Sequence, residues 1–236
     1  MQKELKYIIN QFREDESSLN KIIVSVFVRA NSIQVKKNAL VKSLLISEKS
    51  VLHKTISEIN MPFTFDDVIE AFELSIPNGE KVINGAVYTP SYIKGFIVEH
   101  SLKKIEKPLQ KILAADISCG CGAFLFTFAN KIKAETGKSF SQIFKDNLFG
   151  LDISNSSIER TKILLSLLAI SNREDKPEFE FHLHTGNALS FDWKGTEKKI
   201  KANAGFDLIV GNPPYVSAKT IDEASKPLLT NWAVTK

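Results

Sequence analysis

Apolar residues recur every three to four positions along the first 80 residues of the chain. That spacing is typical of amphipathic helices whose apolar side faces a core. The stripes are Leu5, Ile8, Ile9 and Phe12; Leu19, Ile22, Ile23, Val26 and Phe27; Leu40, Val41, Leu44 and Leu45; and Leu52, Ile56 and Ile59. A fifth helix is predicted to begin at Thr64, because its hydroxyl and Asp67 form a capping pair. We therefore predict a helical N-terminal module over residues 1–80.

A different pattern follows the turns at Pro77-Asn78-Gly79 and Asn84-Gly85, where we place the start of a second domain, residues 81–236. Short apolar runs at 112–117, 147–151 and 206–210 alternate with helical stripes. Continuous apolar runs are typical of parallel strands that helices cover on both faces. We predict an α/β fold, with a Rossmann-like parallel sheet that follows the helical module.

Residues 178–184 alternate strictly between apolar and polar side chains. Phe179 and Phe181 lie on one predicted face, and His182 and His184 lie on the other. Such alternation predicts an edge strand with one solvated face. The two histidines have no third ligand nearby in the sequence, so we predict no metal site.

Composition and charge exclude several classes of protein. With 43% hydrophobic and 25% charged residues the chain is an ordinary globular protein, and a net charge of +4 permits an anionic partner without requiring one. The only cysteines are Cys119 and Cys121, which supports neither a disulfide framework nor a zinc site. The longest apolar run, residues 22–28, is too short to cross a membrane, and no signal-peptide pattern begins the chain, so we expect a cytoplasmic protein.

Glycines and an acid follow the first two predicted strands. Gly120 and Gly122 form a tight turn that lets the backbone approach a ligand closely, and the small Ala123 lets the next helix pack against the strand. The Lys-Ser/Thr pair of a Walker phosphate loop is missing. Asp152 ends the second strand, where nucleotide-binding sheets hold ribose hydroxyls. An aspartate that caps the next helix is the alternative interpretation.

Two further turns carry polar groups that suit a nucleotide ligand. Thr89 is predicted to be the N-cap of a helix with Pro90 at its first position, and this N-terminus, beside Tyr88, can hold a carboxylate. Asn187 offers an amide next to a backbone N–H, which matches the acceptor and donor of an adenine edge. On its own, the first of these stretches is only a capped helix.

The predicted 206–210 strand stops at Asn212-Pro213-Pro214-Tyr215. The two prolines stiffen the turn and keep Asn212 out of helical geometry. The side-chain oxygen of Asn212 and the carbonyl of Pro213 offer two acceptors for a planar amine, and Tyr215 offers a ring on which a base can stack. A proline-rich turn without function explains the motif alone, so its neighbours decide.

The order of these motifs resembles the adenine-specific DNA methyltransferases that use S-adenosylmethionine. The arrangement is similar to that of the gamma-type enzymes, including the methylases of restriction-modification systems, and the resemblance covers about residues 80 to 220. It rests on Tyr88-Thr89-Pro90, on residues 116–124, on Gly150-Leu151-Asp152, on Gly186-Asn187-Ala188-Leu189 and on Asn212-Pro213-Pro214-Tyr215. The chain departs from the family pattern at Ile117-Ser118, where Pro-Ala is usual, and at Asn187, where Asp is commoner.

The resemblance implies an S-adenosylmethionine-dependent methyltransferase sheet that transfers a methyl group to the exocyclic amine of an adenine flipped out of double-stranded DNA. It implies cosubstrate binding by Tyr88, Thr89, Pro90, Asp116, Ser118, Cys119, Gly120, Gly122, Ala123, Phe124, Asp152, Ile153, Asn187 and Ala188. It implies catalysis by Asn212, Pro213, Pro214 and Tyr215, without a metal.

The chain ends 21 residues after Tyr215, which predicts a catalytic domain truncated after the Asn-Pro-Pro-Tyr motif. A target-recognition domain or a partner subunit is then expected to be missing, and the 206–210 strand is expected to be a bare edge. Two alternatives remain open. Protein glutamine methyltransferases and ribosomal RNA methyltransferases share the Asn-Pro-Pro-Tyr motif, and a catalytically inert cosubstrate-binding or interaction module is the non-enzymatic alternative.

Overall fold

The computed structural model describes residues 3–12, 15–57, 62–76, 89–213 and 225–229. The N-terminal region is helical as predicted. Its helices are α1 (Lys3–Gln11), α2 (Glu16–Ala30), α3 (Ala39–Leu44), α4 (Leu52–Ser57) and α5 (Phe65–Leu74). The predicted cap of α5 is confirmed, because Thr64 Oγ1 accepts from the Asp67 N–H and the Asp67 carboxylate accepts from the Thr64 N–H. The predicted domain boundary, at residues 77–85, lies outside the described residues.

Strands and helices alternate in the remainder of the chain. Its elements are α6 (Ser91–Leu102), a 3₁₀ turn (Leu109–Lys111), β1 (Ala114–Asp116), α7 (Ala123–Thr136), α8 (Phe140–Asp146), β2 (Leu148–Asp152), α9 (Asn155–Ser171), β3 (His182–Thr185), α10 (Trp193–Thr196), α11 (Lys198–Ala202), β4 (Leu208–Ile209) and α12 (Lys226–Leu229). The predicted α/β fold class is confirmed.

The four strands form one parallel sheet in the order β3-β2-β1-β4. Asp116 of β1 is in register with Gly150 of β2, and Asp152 of β2 is in register with Thr185 of β3. Parallel strands all end at the same edge, so the loops that follow β1, β2, β3 and β4 converge there. Within the described residues β3 and β4 are the two outer strands of the sheet, as the sequence predicted.

The helical module and the α/β region share one hydrophobic core. Buried side chains of α2 and α5, such as Phe27 and Phe72, belong to the same cluster as Ile163 and Leu164 of α9. Cys121 and Ala123, which flank Gly122 in the glycine turn, belong to it too. The module is therefore packed directly under the turn that follows β1.

The predicted solvated face of β3 is wrong, and so is its predicted extent, because β3 covers only His182–Thr185. His182 Nδ1 and His184 Nε2 lie 3.0 and 2.6 Å from the same Glu197 oxygen, and the His182 ring stacks on Phe149. Helices α10 and α11 flank Glu197. The alternating pattern could not reveal a carboxylate that arrives 13 and 15 residues later in the chain.

The predicted start of α6 also needs correction. Pro90, not Thr89, is the N-cap residue, and it provides no side-chain cap. The apolar residues of this helix do not all face the core, since Phe96 is 62% exposed whereas Lys94 and Val98 are buried. The Thr89 hydroxyl is left to bond elsewhere.

Candidate active site

The carboxyl edge of the sheet brings together residues from three separate sequence motifs. Asp116 ends β1, Asp152 ends β2, and Asn212 follows β4. The β4 strand is held against β1 by a hydrogen bond from the Val210 N–H to the Ala115 carbonyl, 2.9 Å long. The topology therefore gathers these side chains although up to 96 residues separate them in sequence.

The turn after β1 needs its two glycines for different reasons. Gly120 has φ +52° and Gly122 has φ +88°, both in the left-handed region that side chains disfavour. A Cβ at Gly120 would meet no atom within 4 Å, so this glycine borders open space at the site. A Cβ at Gly122 would lie only 2.7 Å from Thr161 Cγ2, so this glycine allows the turn to pack on α9.

Asp152 joins the glycine turn to the second strand. Its carboxylate accepts from the Gly120 N–H at 2.8 Å and from the Ser154 N–H at 2.9 Å. Burial raises the pKa of Asp152, and these backbone N–H groups oppose the rise by favouring the charged form. Asp152 therefore positions the turn as well as facing the site, and Ser154, not Asp152, caps α9.

Asp116 is the most deeply buried acid of this edge, with 1% of its surface exposed. Burial raises the pKa of Asp116 to about 7, the Ser118 N–H opposes the rise, and the nearby charge of Asp152 adds to it. Gly211 passes directly over its carboxyl group, where an added Cβ would lie 3.0 Å from Asp116 Cγ. The acid is thus enclosed between the β1 turn and the segment that leads to Asn212.

Asn212 is anchored to the start of α6. Its Nδ2 donates to Thr89 Oγ1 at 3.0 Å, across 123 positions of sequence. This bond orients the Asn212 amide, so that its nitrogen faces Thr89 and its oxygen points away from Thr89. Pro213 is exposed, and Tyr88, Pro214 and Tyr215 lie outside the described residues.

The remaining predicted site residues fall into two groups. Ala123, Phe124 and Cys119 are buried in the core beneath the turn, so they shape it rather than line an open surface. Ile153 is 58% exposed beside Asp152, and Ala188 is exposed in the turn after β3.

The Asn187 side chain is engaged within the chain. Its Oδ1 accepts from the Leu189 N–H at 2.9 Å, and its Nδ2 donates to Ser225 Oγ at 3.0 Å. The predicted use of this amide as the contact to an adenine edge therefore lacks direct support from the geometry, and the contact would fall to the backbone.

Two features of the turn suit a polar ligand. The Ser118 hydroxyl is buried and has no hydrogen-bond partner among the described residues. A buried hydroxyl without a partner is costly unless a ligand or water completes it. This hydroxyl, the open space beside Gly120 and the carboxyl groups of Asp116 and Asp152 lie at the same edge of the sheet, where a polar ligand would complete the hydrogen bond of Ser118.

Thr161 is a site-supporting residue that the sequence analysis missed. Its Oγ1 donates to the Gly120 carbonyl at 2.9 Å, and its methyl group fills the space next to Gly122. No clear signal for it was present in the sequence, because Thr161 lies in a polar stretch of α9 between Glu159 and Lys162, and only the structure shows that it is buried.

Within the described ranges no group of three His, Cys, Asp or Glu side chains is arranged to hold a metal ion. The same part of the chain contains no helix long and apolar enough to cross a bilayer.

Residues 146–236 match the Eco57I restriction-modification methylase family. This region contains β2, β4 and Asn212, and the match confirms the predicted resemblance to restriction-modification methylases. No curated protein sequence matches the chain.

Three solved structures have the same fold over nearly the whole chain. The type IIG restriction endonuclease BpuSI matches with a TM-score of 0.64 and 15% identity over 97% of this chain and 28% of its own. The DrdV–DNA complex matches with a TM-score of 0.56 and 15% identity over 88% and 24%, respectively. The type IIL restriction-modification enzyme MmeI, solved with DNA, matches with a TM-score of 0.52 and 17% identity over 96% and 39%. The chain thus spans less than two fifths of these proteins.

Proposed function

We propose that this chain is the cosubstrate-binding and catalytic part of a restriction-modification methyltransferase, which transfers a methyl group from S-adenosylmethionine to the exocyclic N6 amine of an adenine in DNA. The observation that carries the proposal is the meeting of Asp116, Gly120, Asp152 and Asn212 at one edge of the sheet, with the Asn212 amide bonded to Thr89. The family match over residues 146–236 supports it.

Polar groups at the glycine turn support S-adenosylmethionine as the ligand of this proposal. Asp116 is buried and Asp152 is half-buried, and a cationic ligand would stabilise the ionised forms that this burial disfavours. In this proposal Asp152 and the Ser118 hydroxyl face ribose or amine groups, and Gly120 leaves room for close backbone approach. When bound, the cosubstrate supplies a sulfonium methyl group, which is a strong electrophile.

Asn212 and Pro213 are the proposed groups for the target amine. The adenine amine is a weak nucleophile because its lone pair is delocalised into the ring. The side-chain oxygen of Asn212 and the Pro213 carbonyl would each accept a hydrogen bond from the amine. These bonds would hold the amine nitrogen in line with the methyl group. The bond from Asn212 Nδ2 to Thr89 Oγ1 supports this assignment, because it restricts rotation of the amide. Tyr215 is proposed to stack on the flipped base.

Target recognition is proposed to lie outside this region. Since the chain spans 24% to 39% of the three DNA-processing neighbours, a further domain or partner subunit would select the DNA sequence. In the same proposal residues 1–80 form the helical module and residues 81–236 the catalytic domain.

The test is methyl transfer by an Asn212→Ala variant. With tritiated S-adenosylmethionine, mixed DNA, RNA and protein substrates, and the proposed DNA-recognition domain or subunit present, wild type is expected to label adenine in DNA. Asn212→Ala should lose about 100-fold or more of that rate while cosubstrate affinity changes by about twofold at most. Asn203→Ala is the matched control, because Asn203 bonds to Lys107 and Asp207 away from the site.

Three outcomes would contradict the proposal. Label in glutamine or ribosomal RNA would assign the chain to the alternative methyltransferases. Cosubstrate binding without transfer to any substrate would favour an inert module. Wild-type transfer by Asn212→Ala would remove Asn212 from the reaction.

A further inference from the structure

Arg160 is a buried cation directly beneath the glycine turn. It lies in the middle of α9 with 0% of its surface exposed and is among the largest fully buried side chains of the described structure. Arginine is almost never fully buried unless its charge is paired. A guanidinium in this position therefore indicates a specific set of contacts.

Both residues that accept hydrogen bonds from Arg160 belong to the helical module. Its Nε donates to Asn20 Oδ1 at 3.2 Å, and its Nη1 donates to the Phe72 carbonyl at 3.4 Å. Its Nη2 lies 3.6 Å from Glu16 Oε1. Asn20 and Glu16 belong to α2 and Phe72 belongs to α5, so one side chain of the α/β region holds two helices of the module.

The same guanidinium faces the glycine turn. Burial raises the pKa of Cys121 to about 12, and the nearby positive charge of Arg160 opposes that rise. The adjacent residue, Thr161, bonds to the Gly120 carbonyl and fills the space beside Gly122. Thr161 therefore contacts the turn directly, and its neighbour Arg160 connects this part of α9 to the helical module.

We propose that Arg160 is a positioning residue of the cosubstrate site, which transmits the packing of the helical module to the glycine turn. The expected effect on cosubstrate affinity rests on the proposed function. The expected effect on the packing of the glycine turn does not. The helical module then supports the binding site, although none of its described residues lies in a loop at the carboxyl edge of the sheet.

The inference is tested by opening of the turn in an Asn20→Ala variant. Cys121 is 1% exposed, so alkylation of its thiol by iodoacetamide reports opening of the turn. Loss of an acceptor for a charged donor is expected to raise the alkylation rate about tenfold and to weaken S-adenosylmethionine binding by a similar factor. Tandem mass spectrometry separates label at Cys121 from label at Cys119.

Two variants provide the controls. Ser25→Ala is matched, because Ser25 lies in the same helix, is buried, and bonds only within the module, to Leu44 and Ile46. It should lower the unfolding temperature without a selective increase at Cys121. Asn20→Asp keeps an acceptor oxygen opposite the guanidinium and should restore slow alkylation.

The outcomes separate this inference from the proposed function. Equal alkylation in Asn20→Ala and Ser25→Ala at equal loss of stability would overturn the positioning role. If Asn20→Ala does not fold, Glu16→Gln is the substitute, since Glu16 is partly exposed and its loss is milder. Selective opening of the turn without any S-adenosylmethionine binding in wild type would refute the proposed function and leave the structural link intact.

Discussion

Protonation of Asp116 is expected to control how tightly the chain binds S-adenosylmethionine. The native carboxyl has a pKa of about 7 because it is buried, so near neutral pH it is half protonated. A cationic ligand bound beside the glycine turn favours the ionised form of Asp116 and lowers the pKa of its carboxyl group. Binding must therefore release protons, and affinity must rise as pH rises through about 7.

The size of the effect follows from the pKa. A carboxyl with a pKa of about 7 is ionised in roughly 9% of molecules at about pH 6 and in roughly 91% at about pH 8. If the cosubstrate binds only the ionised form, its dissociation constant falls about tenfold over this range. At about pH 7 each binding event should release roughly half a proton.

Stability of the ligand-free protein should change in the opposite direction. The native pKa of Asp116 lies above its ordinary value of 3.8, so the native state binds the proton more tightly than the unfolded state. The contribution to stability is fully present below about pH 4 and is lost as pH rises to about 7, by up to about 4 kcal/mol.

Titration calorimetry measures the binding effect directly. Binding heats in two buffers of different ionisation enthalpy give the number of protons released, and Asp116→Asn should bind with a weaker pH dependence. The pKa of Asp152 is also raised, and its carboxylate bonds to the same glycine turn. Asp152→Asn is therefore measured in parallel, to separate the effects of the two acids. An affinity that does not change with pH, or proton release that persists fully in Asp116→Asn, would refute the reasoning.

Three smaller perturbations test the packing. Gly211→Ala should destabilise the fold by about 1–3 kcal/mol in urea unfolding, because its methyl group would overlap the Asp116 carboxyl; an unchanged midpoint would contradict that contact. Gly122→Ala should cost a similar amount, and Thr161→Ser should recover part of it by removing the clashing methyl group; no recovery would mean that backbone strain alone dominates. Glu197→Ala should cost about 1–3 kcal/mol, because both histidines of β3 lose their shared acceptor, and unchanged stability would show that water replaces it.

The α/β order, the α5 cap and the outer positions of β3 and β4 were predictable because each depends on local periodicity or on a short polar motif. The exposure of Phe96 was not predictable, because spacing alone does not say which side of α6 faces the core. The engagement of Asn187 with Ser225 was not predictable either, since that partner is 38 residues away.

The candidate site shows the same division. Strand ends and glycine turns identified Asp116, Gly120, Asp152 and Asn212, since parallel topology brings such ends together. The bond between Asn212 and Thr89 depends on how α6 packs beside β4, and no spacing in the sequence encodes it. The same holds for Arg160, whose acceptors lie up to 140 residues away.

The hydrophobic core that α2 and α5 share with α9 limits how this protein can be recombined. If the first 80 residues were exchanged for those of a relative, the close-packed surface of α9 would face helices that do not fit it. The buried guanidinium of Arg160 would also lose its hydrogen-bond acceptors. Chimeras of this chain with a relative should therefore exchange the helical module and the sheet together.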